Sequence, residues 1–426
     1  KKFNIIKNIK IDTIFKIGIV TLASAPLVAS ILFLICSFFV KDKNRIYLKD
    51  PWNLPLLISS IIMISGSIYL NLNPNSPIIN NEWDRSLSFL GLFNWIPFFW
   101  FFWRFQYFLH SKEQRRCCSI LFIAGTIPVL FSGFGQFWFG WEGPFELFNG
   151  LIIWYQRPLE GISGMTGMFN NPNYAGAWLS FIIPFSLAAL QEHKKSLLIK
   201  ISSLFIFISV FIALIITYSR AAWACSIFAL LFNAINIQSR NFLKLFLVIS
   251  FIPLTTFFLF RNTFNNLFKF ILPNRILLEL DQSSFENLDL MRTEIWNYAL
   301  KFIFERPLLG WGSGYFPLII DQETGFWKGH PHNLILDSYF NFGIIVGSIL
   351  LIFVLTIVIR AFNKIYIKNN SNLYDRAWFT SCLLLLLSQL VDQQYHDVRI
   401  SLPIWFLLCG LKNIIEDKNY NQFTIK

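Results

Sequence analysis

Charged side chains are scarce in this 426-residue chain, at 14% of residues against 55% that are hydrophobic. A soluble domain has roughly 25% charged residues, so an ordinary soluble protein is excluded. Low-complexity linkers and internal repeats are also lacking, and we treat residues 1–426 as one polytopic membrane domain. Since the alternation of polar and apolar residues typical of a barrel strand is missing too, the apolar segments are expected to be helices.

Long apolar runs recur along the whole chain. A helix needs about 20 apolar residues to cross a hydrocarbon core, and backbone groups in lipid must be satisfied within the segment. The sequence therefore predicts an all-α polytopic integral membrane protein with about 11–12 transmembrane helices. The runs are Ile17–Val40, Trp52–Leu70, Leu87–Trp103, Cys118–Phe134, Ala175–Leu190, Leu197–Tyr218, Ala221–Ile237, Leu245–Phe260, Leu334–Ile359, Trp378–Val391 and Ile400–Leu411.

The formal net charge is +12, but the basic residues are spread over short connections and do not form one patch, so no nucleic-acid partner is expected. Because cytoplasmic loops are rich in Lys and Arg, the inner side receives the connections that contain Lys112, Arg115, Arg116, Lys194, Lys195, Lys200, Arg240, Lys244, Arg360, Lys364, Lys368 and Arg376. The alternate connections form an outer set: residues 71–86, 135–174, 219–220, 261–333 and 392–399. Two of these are long, an aromatic-rich loop (135–174) and a large outer loop (261–333).

The first apolar run conflicts with this topology. A single span from Ile17 to Val40 would leave the N-terminal lysines outside, against the charge rule. A bend at Pro26 that makes this region a tight hairpin removes the conflict, gives twelve crossings and puts both ends inside.

Metal-ligand patterns are missing as well. The six cysteines lie in or beside apolar runs, without the paired spacing of a zinc site, and none belongs to the outer set. We interpret them as packing residues. Neither a metal nor a cofactor is expected.

Histidine is rare, and three of the five (His330, His332 and His396) fall in the outer set. The first two lie in GHPHNLILD (Gly329–Asp337), where the large outer loop meets an apolar run. Imidazole is the side chain best matched to general-base work near neutral pH, so His332 is a candidate base. The alternative is a structural histidine at a helix start, with Asn333 as the N-cap.

Two outer arginines are candidates for anion binding. Arg220 stands in TYSRAAW (Thr217–Trp223), where two spans meet with almost no loop, and it either snorkels to headgroups or binds a phosphate through two parallel hydrogen bonds. Arg292 stands near 288–304, where apolar residues at helical spacing predict an amphipathic helix inside the large outer loop. Its alternative partner is the ring of Trp296, four residues further on.

Glycines and amide side chains of the outer set are further candidates for contact with a ligand. Gly312 and Gly314 in GWGSG allow a sharp turn close to a ligand, but they follow no strand, so nucleotide binding is not supported. The aromatic-rich loop ends in FNNPNYAG (Phe169–Gly176), which is unusually polar before a span. Its aromatic residues suit the membrane interface, whereas rings and amides such as that of Asn173 also suit sugars.

Together these motifs resemble the O-antigen ligase and O-antigen polymerase-like membrane glycosyltransferases. The matching features are FNNPNYAG before a span, SR at a tight outer turn, an arginine followed by Trp in the large outer loop, GWGSGYF, and HNLILDSYFNFG at the start of the next span. They cover most of the chain from Gly133 to Ile359, and the aromatic stretch FWFGWEGPF is similar to cyanobacterial members.

The resemblance implies the O-antigen ligase fold and a site on the outer face of a bacterial inner membrane. The donor would be an undecaprenyl-diphosphate-linked glycan, and the acceptor the lipid A core or another glycan. His332 falls on the family's essential histidine, and Arg220 and Arg292 fall on its diphosphate-binding arginines. Candidate substrate-binding residues around them are Asn173, Asn333, Gly312, Gly314 and His330.

The residue chemistry agrees with glycosyl transfer. A polyprenyl diphosphate is a good leaving group, so the reaction needs charge stabilisation and a base at the acceptor hydroxyl, without a metal. A polymerase that joins one lipid-linked repeat to another would use the same residues and stays open. A transporter, for example of bicarbonate, would place its binding groups near the bilayer midplane, often within repeats, whereas the polar groups here gather on the outer face.

Overall fold

The computed structural model describes residues 2–40, 46–73, 84–159, 164–192, 196–234, 292–367 and 372–417. Their α-helices are α1 (Lys2–Thr21), α2 (Pro26–Phe39), α3 (Asn53–Leu72), α4 (Leu87–Leu92), α5 (Ile96–Arg104), α6 (Lys112–Phe139), α7 (Pro172–Gln191), α8 (Leu197–Ile216), α9 (Arg220–Ala234), α10 (Arg292–Glu305), α11 (Phe316–Thr324), α12 (Leu334–Phe362), α13 (Leu373–Ser388) and α14 (Val398–Glu416). Within these ranges a single antiparallel hairpin joins β1 (Phe145–Leu147) to β2 (Ile152–Trp154).

The predicted all-α, multi-pass membrane architecture is confirmed. Six helices in the described part of the chain are long and apolar enough to span a bilayer, among them α6, α7, α8 and α12. Other apolar helices are shorter, such as α9 with 15 residues and α13 with 16. The predicted run Leu245–Phe260 lies outside the described residues.

In the described residues, connections predicted to lie on the same side of the membrane contact one another at two ends of the bundle. At one end, the basic end, the Arg116 guanidinium donates two hydrogen bonds to Glu192, and the Tyr374 hydroxyl donates a third. At the other, the site end, Met165 N donates to Ile216 O at 2.8 Å. Connections predicted to share a side therefore contact one another.

The bend predicted at Pro26 is confirmed. Helices α1 and α2 form an antiparallel hairpin in which the Phe15 and Phe33 rings lie 5.7 Å apart and Cys36 Sγ lies 3.6 Å from Ile11 O. Pro26 can occupy the first position of α2 because that position needs no N–H donor. At the turn, Ser24 O accepts a hydrogen bond from Trp154 Nε1 of the site-end hairpin.

The predicted continuous span Leu87–Trp103 is wrong. The chain forms two short helices there, α4 and α5, separated by a turn at residues 93–95. Pro97 explains the break, because it lacks the N–H that would bond to the carbonyl of Phe93 and its ring opposes a helix on its N-terminal side. As a consequence Asn94 faces the residues of the site end.

Helix α12 is interrupted at Gly343, whose backbone has φ 81° and ψ 167°. The released N–H of Ile344 donates to Pro307 O at 2.7 Å, so the segment after α10 fills the break. Apolar side chains of α10 and α11 form a second core against this half of α12, with Ile295, Phe302, Trp311, Phe316 and Phe340 among its members. Residues 292–333, the described part of the large outer loop, are thus anchored directly on α12.

Candidate functional site

His332 lies immediately before α12 with its ring beside Asp392, which follows α13. His332 Nδ1 and Asp392 Oδ1 are 3.0 Å apart, and 28% of the histidine side chain is exposed. A neutral ring that donates Nδ1–H to the carboxylate keeps Nε2 unprotonated, as a proton acceptor. The geometry is that of an oriented base.

The backbone of His332 is left-handed, with φ 54°. Such a conformation costs a non-glycine residue about 1–3 kcal/mol and persists only where neighbours enforce it. Two contacts do so: His332 N donates to His330 Nδ1 at 3.2 Å, and Pro331 O accepts from Trp296 Nε1 at 3.0 Å. The loop that presents His332 is therefore held on both sides.

His330 has a different environment from His332. Burial, with the adjacent His332 ring, lowers the pKa of His330 to about 4. The ring is then neutral near pH 7, and its Nδ1 is already occupied as the acceptor of the His332 N–H. These contacts support a role in holding the loop, while a role in binding substrate stays a prediction.

Asp392 is a site residue that sequence reasoning missed. Burial alone would raise its pKa, but the hydrogen bond from His332 and the charges of His332 and Arg292 hold that pKa below the ordinary value. Asp392 is therefore an anion at neutral pH. The short outer connection 392–399 contains two acidic residues, Asp392 and Asp397, and no local pattern distinguishes between them.

Arg292 is brought to the same place by α10. Trp296, one helical turn further along α10, donates its indole N–H to Pro331 O in the loop that carries His332. Arg292 itself is exposed, and its charge acts on Asp392. The candidate site thus combines an oriented imidazole, its carboxylate partner and an accessible guanidinium.

Arg220 is also exposed at the site end, at the start of α9. Its junction packs against α7, since a Cβ at Gly176 would lie 2.8 Å from Ala222 Cβ and 2.9 Å from Ser219 Cβ. Within the described residues Arg220 forms no hydrogen bond or ion pair with His332 or Asp392. Of the two arginines, Arg292 is the one whose charge lowers the pKa of Asp392.

FNNPNYAG forms the N-terminal turn of α7. Asn171 is its N-cap and accepts from Asn173 N at 2.8 Å, and Pro172 occupies the first helical position. Arg399 Nη1 donates to Met168 O at 2.9 Å and ties this segment to the connection that contains Asp392. Asn173, half-buried, therefore lies at the site end without a contact to His332 in the described part of the chain.

Asn333 has a defined structural contact at each end of its amide. Its Oδ1 caps α12 by accepting from Ile335 N and Leu336 N, and its Nδ2 donates to Leu390 O at 3.0 Å. The cap fixes the start of α12, and the second bond ties it to α13. Asn333 therefore forms the N-cap that the alternative, structural interpretation of this motif predicted.

Gly312 and Gly314 both have positive φ, 87° and 80°, as a sharp turn requires. Gly312 N donates to Asn341 O at 3.1 Å, and a Cβ at Gly314 would lie 3.0 Å from Leu87 Cδ1. The described contacts of these glycines are with α12 and α4. Their predicted role in binding substrate stays a prediction.

The third outer histidine, His396, completes a polar cluster. Its ring lies 6.3 Å from that of His330, and its Nε2 lies 3.6 Å from Asp337 Oδ2 of α12. Burial opposes protonation of His396, but the nearby carboxylate of Asp337 outweighs it and raises the pKa of His396. No group of His, Cys, Asp and Glu in the described residues has the geometry of a metal site.

Comparison with known proteins confirms the resemblance. Residues 204–354 match the family model described as O-antigen ligase, a region that contains Arg220, Arg292 and His332 but not Asp392. The ComP-specific O-oligosaccharyltransferase of Acinetobacter baylyi is 29% identical over 267 residues, which cover 60% of this chain and 45% of that protein. The chain therefore matches less than half the length of this relative.

Proposed function

We propose that this O-antigen ligase-like chain is a glycosyltransferase of a bacterial inner membrane. It moves a glycan from an undecaprenyl-diphosphate carrier to an acceptor hydroxyl on the outer face, with the lipid A core as acceptor. The observation that carries the proposal is the partly exposed His332–Asp392 pair, 3.0 Å apart, with Arg292 beside it.

In the proposed reaction the acceptor oxygen bonds to the anomeric carbon of the glycan as the bond from that carbon to the diphosphate breaks. The acceptor proton passes to His332 Nε2, and Asp392 stabilises the imidazolium that forms. Arg292 and Arg220 stabilise the charge that develops on the diphosphate, through paired hydrogen bonds. These groups perform the transfer without a metal.

An apolar groove supports a lipid-linked donor. It has a volume of about 240 Å³, starts at Leu334 and Leu390 next to the site, and continues between α12, α13 and α14 as far as Val358 and Leu408. Its lining is almost entirely aliphatic and aromatic. A polyprenyl tail bound there would hold its diphosphate near His332.

The acceptor has two further candidates. A polymerase would use a second lipid-linked glycan, with the same base and arginines. The name of the Acinetobacter baylyi relative describes O-oligosaccharyl transfer specific for ComP, which favours a protein hydroxyl as the other candidate.

Deletion of the gene, with analysis of surface glycans and glycoproteins, tests the proposal. Loss of capped lipopolysaccharide with accumulation of lipid-linked glycan is the expected result. Capping by single repeats would identify a polymerase, and loss of a glycoprotein alone would identify a protein acceptor. Unchanged glycans with reduced bicarbonate uptake would refute glycosyl transfer in favour of transport.

A further inference from the structure

A second carboxylate–imidazole pair lies beside the first. His396 Nε2 is 2.8 Å from Gln393 Nε2 and 3.6 Å from Asp337 Oδ2, while Nδ1 of the same ring is 3.5 Å from Asn94 Nδ2. These groups come from α12, the α4–α5 turn and the connection 392–397. The His396 side chain is 37% exposed and therefore accessible to a ligand, whereas Asp337 and Gln393 lie buried behind it.

Two buried acceptors in this cluster have no hydrogen-bond partner among the described residues. They are Asp337 Oδ2, in a residue 3% exposed, and Gln393 Oε1, in a residue 0% exposed. Turning the Gln393 amide over would only exchange an unpaired oxygen for an unpaired nitrogen. Unpaired buried polar groups are costly and call for a ligand, a water or a functional reason.

The chemistry of the cluster differs from that around Arg292. Asn94 offers an amide, and His396 in its neutral form an imidazole, each of which both donates and accepts, whereas diphosphate binding calls for fixed cations. Sugar hydroxyls are neutral groups that donate and accept in the same way. The cluster therefore suits a sugar better than a phosphate.

We propose that Asn94 and His396 form the subsite for the acceptor sugar, with the buried Asp337 and Gln393 as the residues that position His396. The His330 ring lies 4.5 Å from His332 and 6.3 Å from His396, so a sugar bound at His396 adjoins the base. The donor diphosphate then occupies the side of Arg292. This inference rests on the proposed function and adds where the acceptor binds.

The test is steady-state glycan transfer by the full chain in lipid nanodiscs. The donor is lipid-linked glycan, and the acceptor is uncapped lipopolysaccharide, both extracted from the deletion strain. Asn94→Ala and His396→Gln should each raise KM for the uncapped lipopolysaccharide roughly 3-fold to 10-fold, as expected for a lost hydrogen bond, and leave KM for the donor unchanged. Asp337→Asn should raise the same KM and also shift its pH dependence.

Matched controls are Asn73→Ala, in an exposed cap at the end of α3, and His110→Gln, at the basic end. Both should behave as wild type. Thermal unfolding of each variant identifies proteins that fail to fold, and His396→Asn then serves as a second substitution at the same position.

Three results would overturn the inference: an unchanged acceptor KM in both Asn94→Ala and His396→Gln, an equal rise in donor KM, or an equal effect in the controls. Those results differ from failure of the proposed function, in which the wild-type chain itself transfers no glycan to the uncapped lipopolysaccharide.

Discussion

His332 owes its orientation to a residue sixty positions further along the chain, Asp392. The sequence identified the histidine because it stands in a motif at the start of an apolar run. Nothing local marks Asp392, since the pairing exists only after α12 and α13 have packed side by side. A carboxylate that orients a histidine is in general visible only in the folded chain.

His332→Ala should lower transfer about 10²-fold to 10⁴-fold, the usual effect of losing a general base. His330→Ala should cost much less, because His330 acts through the His332 backbone. The measurement is transfer in membranes that contain equal amounts of each variant. Near-normal turnover of His332→Ala together with inactive His330→Ala would reverse the two roles.

Arg292→Lys should reduce transfer roughly 10-fold to 100-fold, because a point charge replaces paired hydrogen bonds to the diphosphate. Arg220→Lys should also reduce it, and the ratio of the two effects measures how closely each arginine approaches the donor. KM for the donor and kcat are measured at equal expression. Full activity of both lysine variants would show that neither arginine binds the donor diphosphate through paired hydrogen bonds.

The His396–Asp337 pair should contribute stability that depends on pH. Asp337 raises the pKa of His396 above 6.5, so the contribution is complete below that pH and is lost as pH rises through the pKa of the folded state. The wild-type advantage in melting temperature over Asp337→Asn should be larger near pH 6 than near pH 9. His330 is the other titratable group facing the ring, so the comparison is repeated in His330→Gln.

At the scale of elements, hydropathy predicted where helices lie but not where they break. The run Leu87–Trp103 is apolar throughout, and Pro97 alone marked the division into α4 and α5. The sequence signal for the interruption of α12 is Gly343, which lies inside an apolar run. Many membrane helices contain a glycine at such a position without a break. What fixes it is the Pro307 carbonyl, which no local pattern contains.

Gly343→Ala should destabilise the protein strongly. A Cβ there would lie 2.1 Å from Leu308 O, and φ would remain 81°. Gly325→Ala is the matched control, since Gly325 has φ 74° but nothing within 4 Å of its Cβ position. The control substitution should lower the free energy of unfolding only by the backbone strain, about 1–2 kcal/mol. Thermal unfolding of the two variants should therefore separate the clash from the strain; equal melting temperatures would show that α12 can absorb the extra atom.

At the scale of the whole molecule, the alternation of basic and Lys-poor connections predicted which loops share an end. The contacts at the basic end and at the site end agree with that division. Charge alone could not reveal that the α1–α2 turn reaches the site end and bonds to Trp154, because this contact joins segments that are 130 residues apart.

The site end should face outward. Single cysteines at Gln322 and at His110, in a chain without its six native cysteines, test this with a reagent that does not cross the membrane. The first should be labelled in intact cells and the second only after lysis, because the positive-inside rule puts Lys112, Arg115 and Arg116 inside. The opposite labelling pattern would invert the topology and place the site in the cytoplasm.

The bond between His332 and Asp392 also bears on how this protein can be divided. The family match ends at residue 354, between the two partners of that bond. A chimera that exchanged only the matched segment would carry the imidazole of one parent against the carboxylate-bearing connection of the other. A segment that is meant to carry the pair intact must therefore extend at least from His332 to Asp392, which is 38 residues beyond the end of the family match.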